Sequence, residues 1–256
     1  MTTVAVIGST GMAGSRAVKA LHRRGIRSVE ISRASGVDVI SGAGLVDALN
    51  GADVVIDTSN PYPADGDIEA ALSAAARNVT MACTEKAVQH LVLLSIVGVE
   101  SPAFDGFPYF VAKRIQADVV AESTVPTTIV RASQFHEFAT NPSAVTFADH
   151  AVLVQDWLIQ PVAAEAIAQL LVEAAVARTP GTQMFAGADV VRLPELTARL
   201  LKRRGDPRPV QSVAADVPAL SNGGLLAPSG TTIVGPDIAT WIAHAAEETG
   251  FQVGRK

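Results

Sequence analysis

The stretch VAVIGSTGMAGSRAV, from Val4 to Val18, decides the fold of this chain. Apolar residues lead directly into Gly8, Gly11 and Gly14, and a segment with helical periodicity follows at once. Where a strand turns into a helix, the first glycine permits a tight turn, the second lets a ligand approach the backbone, and the third lets the helix pack closely. The helix start then offers free N–H groups and the positive end of a dipole to an anionic phosphate. A tight turn without a ligand is the alternative interpretation.

Short apolar runs alternate with longer Ala-rich segments in the first half of the chain. This alternation is typical of repeated strand–helix–strand units and a parallel sheet, so we predict a doubly wound α/β fold. The predicted strands are Thr3–Ile7, Val29–Ser32, Val54–Thr58, Leu91–Ser95 and Thr127–Arg131, with a weaker one at Val37–Ile40. The predicted helices are Met12–Arg24, Gly44–Leu49, Asp67–Ala76 with an extension toward Gln89, and Val111–Ser123.

The alternation loosens after residue 132. Residues 152–176, VLVQDWLIQPVAAEAIAQLLVEAAV, predict a strand that enters a helix. Residues 218–236, PALSNGGLLAPSGTTIVGP, are rich in Gly and Pro and predict a long loop without regular structure. Residues 236–250, PDIATWIAHAAEETG, predict a closing helix with Pro236 near its N-terminus and Gly250 at its C-cap.

Composition excludes several function classes. The net charge of −5, with 20 Lys+Arg against 25 Asp+Glu, argues against nucleic-acid binding. The single cysteine, Cys83, rules out an internal disulfide, and no His/Cys pattern of zinc-site spacing is visible, so we expect no metal. We see no signal peptide and no membrane span, and we expect a cytoplasmic protein. The apolar residues 159–177 carry polar residues at helical spacing, and the helix Ala163–Ala177 is a candidate surface for a homo-oligomer.

A second test of phosphate binding lies at the end of the second predicted strand. Proteins that bind NAD usually place an acidic residue there, about 20 positions beyond the glycines, to bind the adenosine ribose. Here the strand ends in Ser32-Arg33, and Arg33 lies 19 positions after Gly14. A guanidinium attracts a 2′-phosphate that a carboxylate would repel, so the sequence favours NADP over NAD. A solvated loop residue is the alternative for Arg33, and Arg16 is a further candidate for the phosphate.

A tyrosine and a lysine at the start of the fourth main predicted helix are spaced to share one helix face. Tyr109 and Lys113 are four residues apart, one helical turn, in PYFVAKRIQADVV. A nearby ammonium stabilises phenolate and lowers a tyrosine pKa, which makes the phenol a useful proton donor or acceptor. Such an acid is what hydride transfer to a substrate carbonyl requires. Ser95, at the end of the preceding predicted strand, could orient the same carbonyl group through its hydroxyl. The alternative is that Tyr109 packs at the helix entry and Ser95 makes a strand-end hydrogen bond.

These segments together resemble the short-chain dehydrogenase/reductases, most closely their atypical NmrA-like branch. The resemblance covers roughly residues 3–175 and rests on VIGSTGMAG, ISR, LLSIVGVE, YFVAK, TTIVRASQFHEF and QPVAAEAIAQLL. It implies an NADP-binding Rossmann fold with a small C-terminal substrate-binding region. We therefore expect a single NAD(P)-binding domain over 1–256, with a dinucleotide-binding core at 1–132 and a mixed core and substrate-binding region at 133–256.

The resemblance also implies roles for individual residues. Lys113 would hold the nicotinamide ribose, and Ser32 and Arg33 would flank the adenosine phosphate. The pyrophosphate turn would consist of Gly8, Ser9, Thr10, Gly11, Met12 and Gly14. The adenosine or ribose side of the cofactor would be lined by Thr58, Ser59 and Asn60. The chain departs from the family where DTSNP replaces the usual Asn-Asn-Ala-Gly type of stretch.

The loop after the fifth main strand is the candidate substrate site, because doubly wound sheets bind ligands at the carboxyl ends of their strands. We place Gln134, Phe135, His136 and Phe138 beside the nicotinamide and the substrate. His136 could relay protons, or it could simply be hydrogen-bonded. Arg131 could bind an acid group of the substrate, but we expect it in a structural ion pair. Trp157 is expected in a pocket wall or the core, and Cys83 away from catalysis.

Three functions agree with these residues. The first is an NADPH-dependent reductase in which hydride passes to a small carbonyl or enone and Tyr109, with Lys113, supplies the proton. The second is a dinucleotide-binding sensor without turnover, since the NmrA-like branch includes such members. The third is an epimerase or isomerase that recycles its cofactor. In each case a small molecule, rather than a nucleic acid or a membrane, is the expected partner.

Overall fold

The computed structural model describes residues 2–63 and 66–244. Seven parallel strands form the central sheet in the spatial order β2-β1-β3-β4-β5-β9-β12. Its strands are β1 (Thr3–Ile7), β2 (Arg27–Ile31), β3 (Val54–Asp57), β4 (His90–Ile96), β5 (Thr127–Ala132), β9 (Gly181–Ala186) and β12 (Thr232–Ile233). The smaller sheets are built from β6 (Val145–Phe147), β7 (Val152–Gln155), β8 (Leu158–Ile159), β10 (Val191–Arg192) and β11 (Val210–Val213). The predicted doubly wound parallel sheet is confirmed.

Helices cover both faces of the central sheet. The helices are α1 (Met12–Arg23), α2 (Leu45–Ala48), α3 (Ile68–Glu85), α4 (Pro108–Ala121), α5 (Ala164–Ala177), α6 (Leu193–Arg203), α7 (Pro218–Ser221) and α8 (Ile238–His244). Because side chains alternate along a strand, one set of strand residues packs with α3 and α4 and the other set with α1 and α5. Each face therefore carries its own apolar core, made mostly of Ala, Val, Leu and Ile.

The chain reverses direction across the sheet at β1. From β1 it crosses to β2 on one side, and from β2 it returns to β3 on the other. Ile7 pairs with both Ile31 and Asp57, so the three strands end at the same level. We call this end the carboxyl edge. Ligands of doubly wound sheets bind at such a switch point, outside the carboxyl ends of the strands.

The prediction of a weaker strand at Val37–Ile40 is wrong, because these residues form no strand. Val37 and Val39 are buried in the core on the α3 and α4 face, which explains the apolar alternation. The backbone carbonyls of Val39 and Ile40, however, accept hydrogen bonds from Asn78 Nδ2 at 3.0 and 2.8 Å. Because a side chain supplies these hydrogen bonds, no neighbouring strand is needed. Strand β2 consequently lies at the edge of the sheet.

The apolar side of α5, which the sequence made a candidate surface for self-association, is buried within the chain, and a homo-oligomer stays a prediction. This side of α5 packs against α1 and the central sheet. The polar side of α5 bears Glu165 and Glu173, which pair at 2.5 and 3.1 Å with Arg23, the last residue of α1, and with Arg24, which follows it. The helix is amphipathic as predicted, but its apolar half forms intramolecular core.

The C-terminal region has its own apolar core, which includes Trp157, Leu196 and Ile238. The stretch predicted as a loop contains the short helix α7 and strand β12, which pairs with β9. A helix is present near the end of the chain as expected, but Gly250 lies outside the described residues. Within those residues, no helix is both long and apolar enough to cross a membrane.

Candidate active site

The glycine turn joins β1 to α1 at the carboxyl edge. Gly8 has a φ of +78°, a conformation that L side chains rarely adopt, and its N–H donates to Ile31 O at 2.9 Å. Gly11 precedes α1 as the N-cap and forms no side-chain cap. The N–H groups of the first helical turn therefore remain available to an anion. Thr10, Gly11 and Met12 are exposed at this position, whereas Ser9 is buried and donates to Ile31 O at 3.2 Å.

Gly14 lets α1 approach the turn much more closely than any other residue could. A Cβ atom at this position would lie 2.2 Å from Gly8 O and 2.7 Å from Thr58 Oγ1. Thr58 in turn donates from Oγ1 to Ile7 O at 2.8 Å, which ties the end of β3 to the turn. The close packing expected of Gly14 is thus present, and it positions the N-terminus of α1.

The two residues that follow β2, Ser32 and Arg33, carry no acidic side chain. Ser32 and Ser35 form a capping box around a one-turn 3-10 helix, and Arg33 lies exposed within that turn. Arg33 lowers the pKa of Asp38, although hydrogen bonds from Ile40 and Ser41 contribute more. Arg33 is thus exposed directly after β2, and its contact with an adenosine phosphate stays a prediction.

Arg16 is already paired within the protein. Its guanidinium lies 3.3 Å from the carboxylate of Glu137 and donates to Met12 O at 3.0 Å. Glu137 also accepts from the backbone N–H of Ala164, at the start of α5, at 3.3 Å. Arg16 therefore connects α1 to the loop after β5, and its contact with a phosphate stays a prediction.

Buried polar atoms without a partner collect near the carboxyl edge. The strand register places Ser59 and Ser95 each two residues beyond the paired residues Asp57 and Leu93. Ser59 Oγ, Ser95 Oγ, Ser133 Oγ and Gln134 Oε1 lack hydrogen-bond partners among the described residues. Buried polar groups in proteins are nearly always hydrogen-bonded, so these atoms suit a polar ligand at this edge. They fit a dinucleotide whose pyrophosphate occupies the glycine turn.

Tyr109 lies at the start of α4 and faces the loop after β3. Its hydroxyl donates to Asn60 Oδ1 at 3.3 Å, and its ring is parallel to that of Tyr62, with centroids 6.4 Å apart. Burial, and secondarily Tyr62, raises the pKa of Tyr109, while the hydrogen bond with Asn60 acts in the opposite direction. The sequence-based expectation of a lowered pKa is therefore wrong, because desolvation outweighs any stabilisation of the phenolate.

Lys113 is buried one turn further along α4. Its ammonium donates to Leu94 O at 3.2 Å and to Gln116 Oε1 at 2.5 Å. Burial lowers the pKa of Lys113 to about 8, and the carboxyl of Asp57 opposes this effect. The bond to Leu94 O brings the ammonium beside Ser95, the next residue of β4. Ser95, Tyr109 and Lys113 thus gather at the carboxyl edge, but their catalytic roles stay predictions.

The residues of the loop after β5 lie in different environments. Gln134 keeps a free polar atom, whereas Phe135 forms an isolated bridge with Val162 and packs on the α1 and α5 core. His136 is buried, stacks on Trp241 with centroids 5.1 Å apart, and contacts Pro236 O at 3.4 Å. Burial lowers the pKa of His136, which favours the neutral ring. Contact of Phe135 or His136 with a substrate stays a prediction.

Three further side chains, those of Phe138, Arg131 and Cys83, pack or pair with other residues of the protein. Phe138 packs on buried Trp157, with ring centroids 5.4 Å apart, and its contact with substrate also stays a prediction. Arg131 pairs with Glu100, the ion pair expected for it. Cys83 is fully buried, and burial raises the pKa of its thiol to about 12. Over residues 2–63 and 66–244, no group of three or more His, Cys, Asp or Glu could hold a metal ion.

Two buried residues near Lys113, Asp57 and Gln116, were not predicted from the sequence as site residues. Asp57 ends β3, is fully buried, and has one carboxylate oxygen without a partner. Gln116 follows Lys113 by one turn of α4 and is also buried. The signal for Asp57 was a carboxylate at the end of an entirely apolar strand, VVID, where a charge is costly without a partner. For Gln116 the sequence offers no comparable signal.

A sequence-family profile described as NAD(P)H-binding matches residues 8–178. No curated protein matches the sequence. Among solved structures, the Bordetella bronchiseptica enzyme WbmH in complex with NAD+ has a TM-score of 0.75 at 18% identity, over 98% of this chain and 100% of that one. A short-chain dehydrogenase/reductase superfamily protein from Agrobacterium tumefaciens with bound NAD has a TM-score of 0.69 at 15% identity, over 96% of both chains.

An NADPH-dependent quinone oxidoreductase from Escherichia coli, complexed with NADPH, has a TM-score of 0.66 at 17% identity, over 94% of this chain and 99% of that one. At these identities the likeness shows the fold. The expected NAD(P)-binding family is confirmed by the profile, while the short-chain dehydrogenase/reductase assignment stays a prediction. The more specific NmrA-like assignment stays a prediction, and these structures, with NAD or NADPH bound, leave the choice of cofactor open.

Proposed function

The chain belongs to the NAD(P)H-binding family whose profile matches residues 8–178, and from this premise we propose that it is an NADPH-dependent reductase of small carbonyl or enone substrates. When bound, the dinucleotide supplies a hydride at its nicotinamide ring. The chain holds the pyrophosphate at the glycine turn, orients the substrate and donates a proton. The observation that carries this proposal is the convergence of Tyr109, Ser95 and Lys113 at the same edge as the glycine turn.

The proposed preference for NADP rests on the end of β2. Arg33 is exposed there, and the residues before and after it, Ser32 and Ala34, carry no negative charge. A guanidinium offers a 2′-phosphate a charge-assisted, bidentate hydrogen bond. Ser32 and Ser35 hold the turn that presents Arg33 through their reciprocal cap. The adenosine phosphate would thus meet a positive side chain on a fixed turn.

Tyr109 is the proposed acid. Because burial raises its pKa, the phenol is protonated at neutral pH and can donate the O–H proton to a carbonyl oxygen as negative charge develops there. Ser95 Oγ, which is buried and unpartnered within the described chain, can donate a second hydrogen bond to the same oxygen. A positive Lys113 favours the phenolate left after transfer.

Replacement of Tyr109 tests the proposal. We expect Tyr109→Phe to lower NADPH oxidation with a panel of small aldehydes, ketones and enones by roughly 10²–10⁴-fold, the usual contribution of a general acid. NADPH affinity, measured by fluorescence titration, should change little. Tyr62→Phe is the matched control because it removes a neighbouring phenol from the same stacked pair and should retain activity. Equal turnover by wild type and Tyr109→Phe would refute the assigned role.

One observation supports a second function, that of a non-catalytic NADP sensor. The ammonium of Lys113 already donates to Leu94 O and Gln116, and Tyr109 donates to Asn60, so both groups have partners within the chain. Tight NADPH binding without oxidation of NADPH on any member of the panel, in wild type as well as in Tyr109→Phe, would favour the sensor.

A further inference from the structure

The end of β3 places a buried carboxyl group on the same face of the sheet as Lys113. Side chains two residues apart on a strand point to the same side, and Val55 belongs to the core under α3 and α4, so Asp57 points toward those helices as well. Asp57 Oδ1 accepts from the N–H of Ser59 at 2.8 Å, while Oδ2 has no partner among the described residues. Lys113 reaches this face from α4, and Asp57 pairs in register with Leu93, next to the Leu94 carbonyl that Lys113 contacts.

The ammonium of Lys113 needs a negative partner at this depth. Its contacts with Leu94 O and Gln116 Oε1 are to neutral acceptors and use two of its three donors. A buried ammonium that lacks an opposite charge gives up its proton. Asp57 and Lys113 form no ion pair within 4 Å, yet each carboxyl and ammonium stabilises the charged form of the other. Their interaction thus acts without a direct ion pair.

Other titratable groups around Lys113 do not supply the charge. Besides Asp57 on β3, the titratable groups on the neighbouring helices are Tyr109, one turn earlier on α4, and Cys83 on α3, whose pKa is affected by Asp57, while β4 contributes the carbonyl of Leu94. Burial raises the pKa of Cys83 to about 12, and it raises that of Tyr109 too. Both are therefore neutral at pH 7. Burial raises the pKa of Asp57 as well, but hydrogen bonds from Ser59 and the ammonium of Lys113 lower it, so within the described part of the chain Asp57 is the carboxyl group that can face Lys113 as a negative partner.

We propose that Asp57 is a positioning residue that keeps Lys113 positively charged at the carboxyl edge. The pairing follows from the arrangement of β3, β4 and α4. The pairing would keep Lys113 charged so that it can hold the nicotinamide ribose and stabilise the phenolate of Tyr109. This role of the pairing rests on the proposed function. Asp57 itself touches neither cofactor nor substrate in this proposal, and it acts through Lys113.

The test is a direct titration of Lys113 in the full-length protein without cofactor. The chain has only five lysines, so a protein labelled with ¹³Cε-lysine gives few resonances, and Lys113→Met identifies the one that matters. We expect wild-type Lys113 to titrate well below the other lysines, near 8. Asp57→Asn should lower this pKa by on the order of one unit or more, so that the charged fraction at pH 7 falls from about nine tenths to half or less.

The matched control is Asp53→Asn, which removes a carboxylate just before β3, at the opposite edge of the sheet, where Asp53 accepts from the N–H of Thr3. It should leave the Lys113 titration unchanged. If Asp57→Asn does not fold, the same coupling is measured from the other side, since Lys113→Met must raise the pKa of Asp57 by a comparable amount, observed on ¹³Cγ-labelled aspartate. A shift below 0.3 unit in either measurement, or an equal shift in Asp53→Asn, would overturn the proposal.

NADPH affinity gives a second readout. We expect wild-type affinity to weaken above about pH 8 as Lys113 loses its proton, and in Asp57→Asn this loss should begin at least one pH unit lower. Rescue is available in the double variant Asp57→Asn/Gln116→Glu, which restores a carboxylate next to Lys113 and should return its pKa toward the wild-type value. Failure of the rescue would count against a charge effect.

The two proposals fail separately. Coupled titration in a protein that oxidises no NADPH would refute the reductase and leave the Asp57–Lys113 pairing intact. An uncoupled Lys113 in an active reductase would refute the pairing alone.

Discussion

Gly14→Ala should separate α1 from the glycine turn and weaken dinucleotide binding. The new Cβ atom would lie 2.2 Å from Gly8 O and 2.8 Å from Gly8 C, and both of these are backbone atoms that no rotamer change can move. To restore even a tight 3.0 Å contact, α1 or the turn must retreat by about 0.8 Å. The N–H groups that we propose bind the pyrophosphate belong to these same two segments.

Two effects of opposite sign act on stability. Alanine is favoured over glycine inside a helix by about 1 kcal/mol. Overpacking of a tight contact costs about 1–3 kcal/mol, so we expect a net loss of about 1 kcal/mol and a decrease in Tm of roughly 2–4 °C. Binding should suffer more than folding, since a displacement near 1 Å in a positioned site costs on the order of 10²-fold. The Kd for NADPH should accordingly rise by roughly 10- to 100-fold.

Fluorescence titration with NADPH measures the affinity, and thermal unfolding measures the stability. Gly106→Ala is the control, because a Cβ atom there meets nothing within 4 Å. It should leave both quantities unchanged. If Gly14→Ala binds NADPH as tightly as Gly106→Ala does, the contact between α1 and the turn does not set the phosphate site, and the argument from the glycine spacing is wrong.

Further predictions concern cofactor choice, thiol reactivity and pH. Arg33→Asp should shift preference from NADP toward NAD by at least about tenfold, as judged from the two Kd values, whereas Arg27→Asp at the other end of β2 should not. The Cys83 thiol should resist a disulfide reagent at pH 8 in the folded protein and react after denaturation, because burial, and secondarily Asp57, raises its pKa to about 12. Burial lowers the pKa of Lys113 from 10.5 to about 8, so its contribution to stability is present above pH 10.5 and is lost as the pH falls through about 8. Relative to Lys113→Met, the wild-type free energy of unfolding should rise by on the order of 3 kcal/mol between pH 8 and 10.5, and a parallel pH dependence of the two proteins would contradict this.

Local patterns predicted the fold well. Strand β1 and helix α1 were predicted almost to the residue, because glycine spacing and apolar periodicity report local steric and burial requirements. The strand expected at Val37–Ile40 failed for a different reason. An alternation of apolar residues does not by itself distinguish a strand from an irregular segment. Here the carbonyls of the segment accept hydrogen bonds from a distant side chain, Asn78, and not from a neighbouring strand.

The site was predicted only in outline. Ser95, Tyr109 and Lys113 were named from their positions, and they do lie near the carboxyl edge. Their chemistry was less accessible, since the sequence predicted a lowered pKa for Tyr109 and the structure raises it. A pKa depends on desolvation and on every charge nearby, which are properties of the assembled protein and not of a four-residue spacing.

The sequence by itself determined the strand-to-helix turn that can accept a pyrophosphate, the parallel sheet behind it and the set of polar residues at its edge. These follow from constraints among residues close together in the chain. Only the tertiary structure decided that α5 buries its apolar side against α1, and that Asp57 at the end of β3 faces Lys113 on α4. Those contacts join segments far apart in sequence, and their energies arise when packing removes the side chains from water.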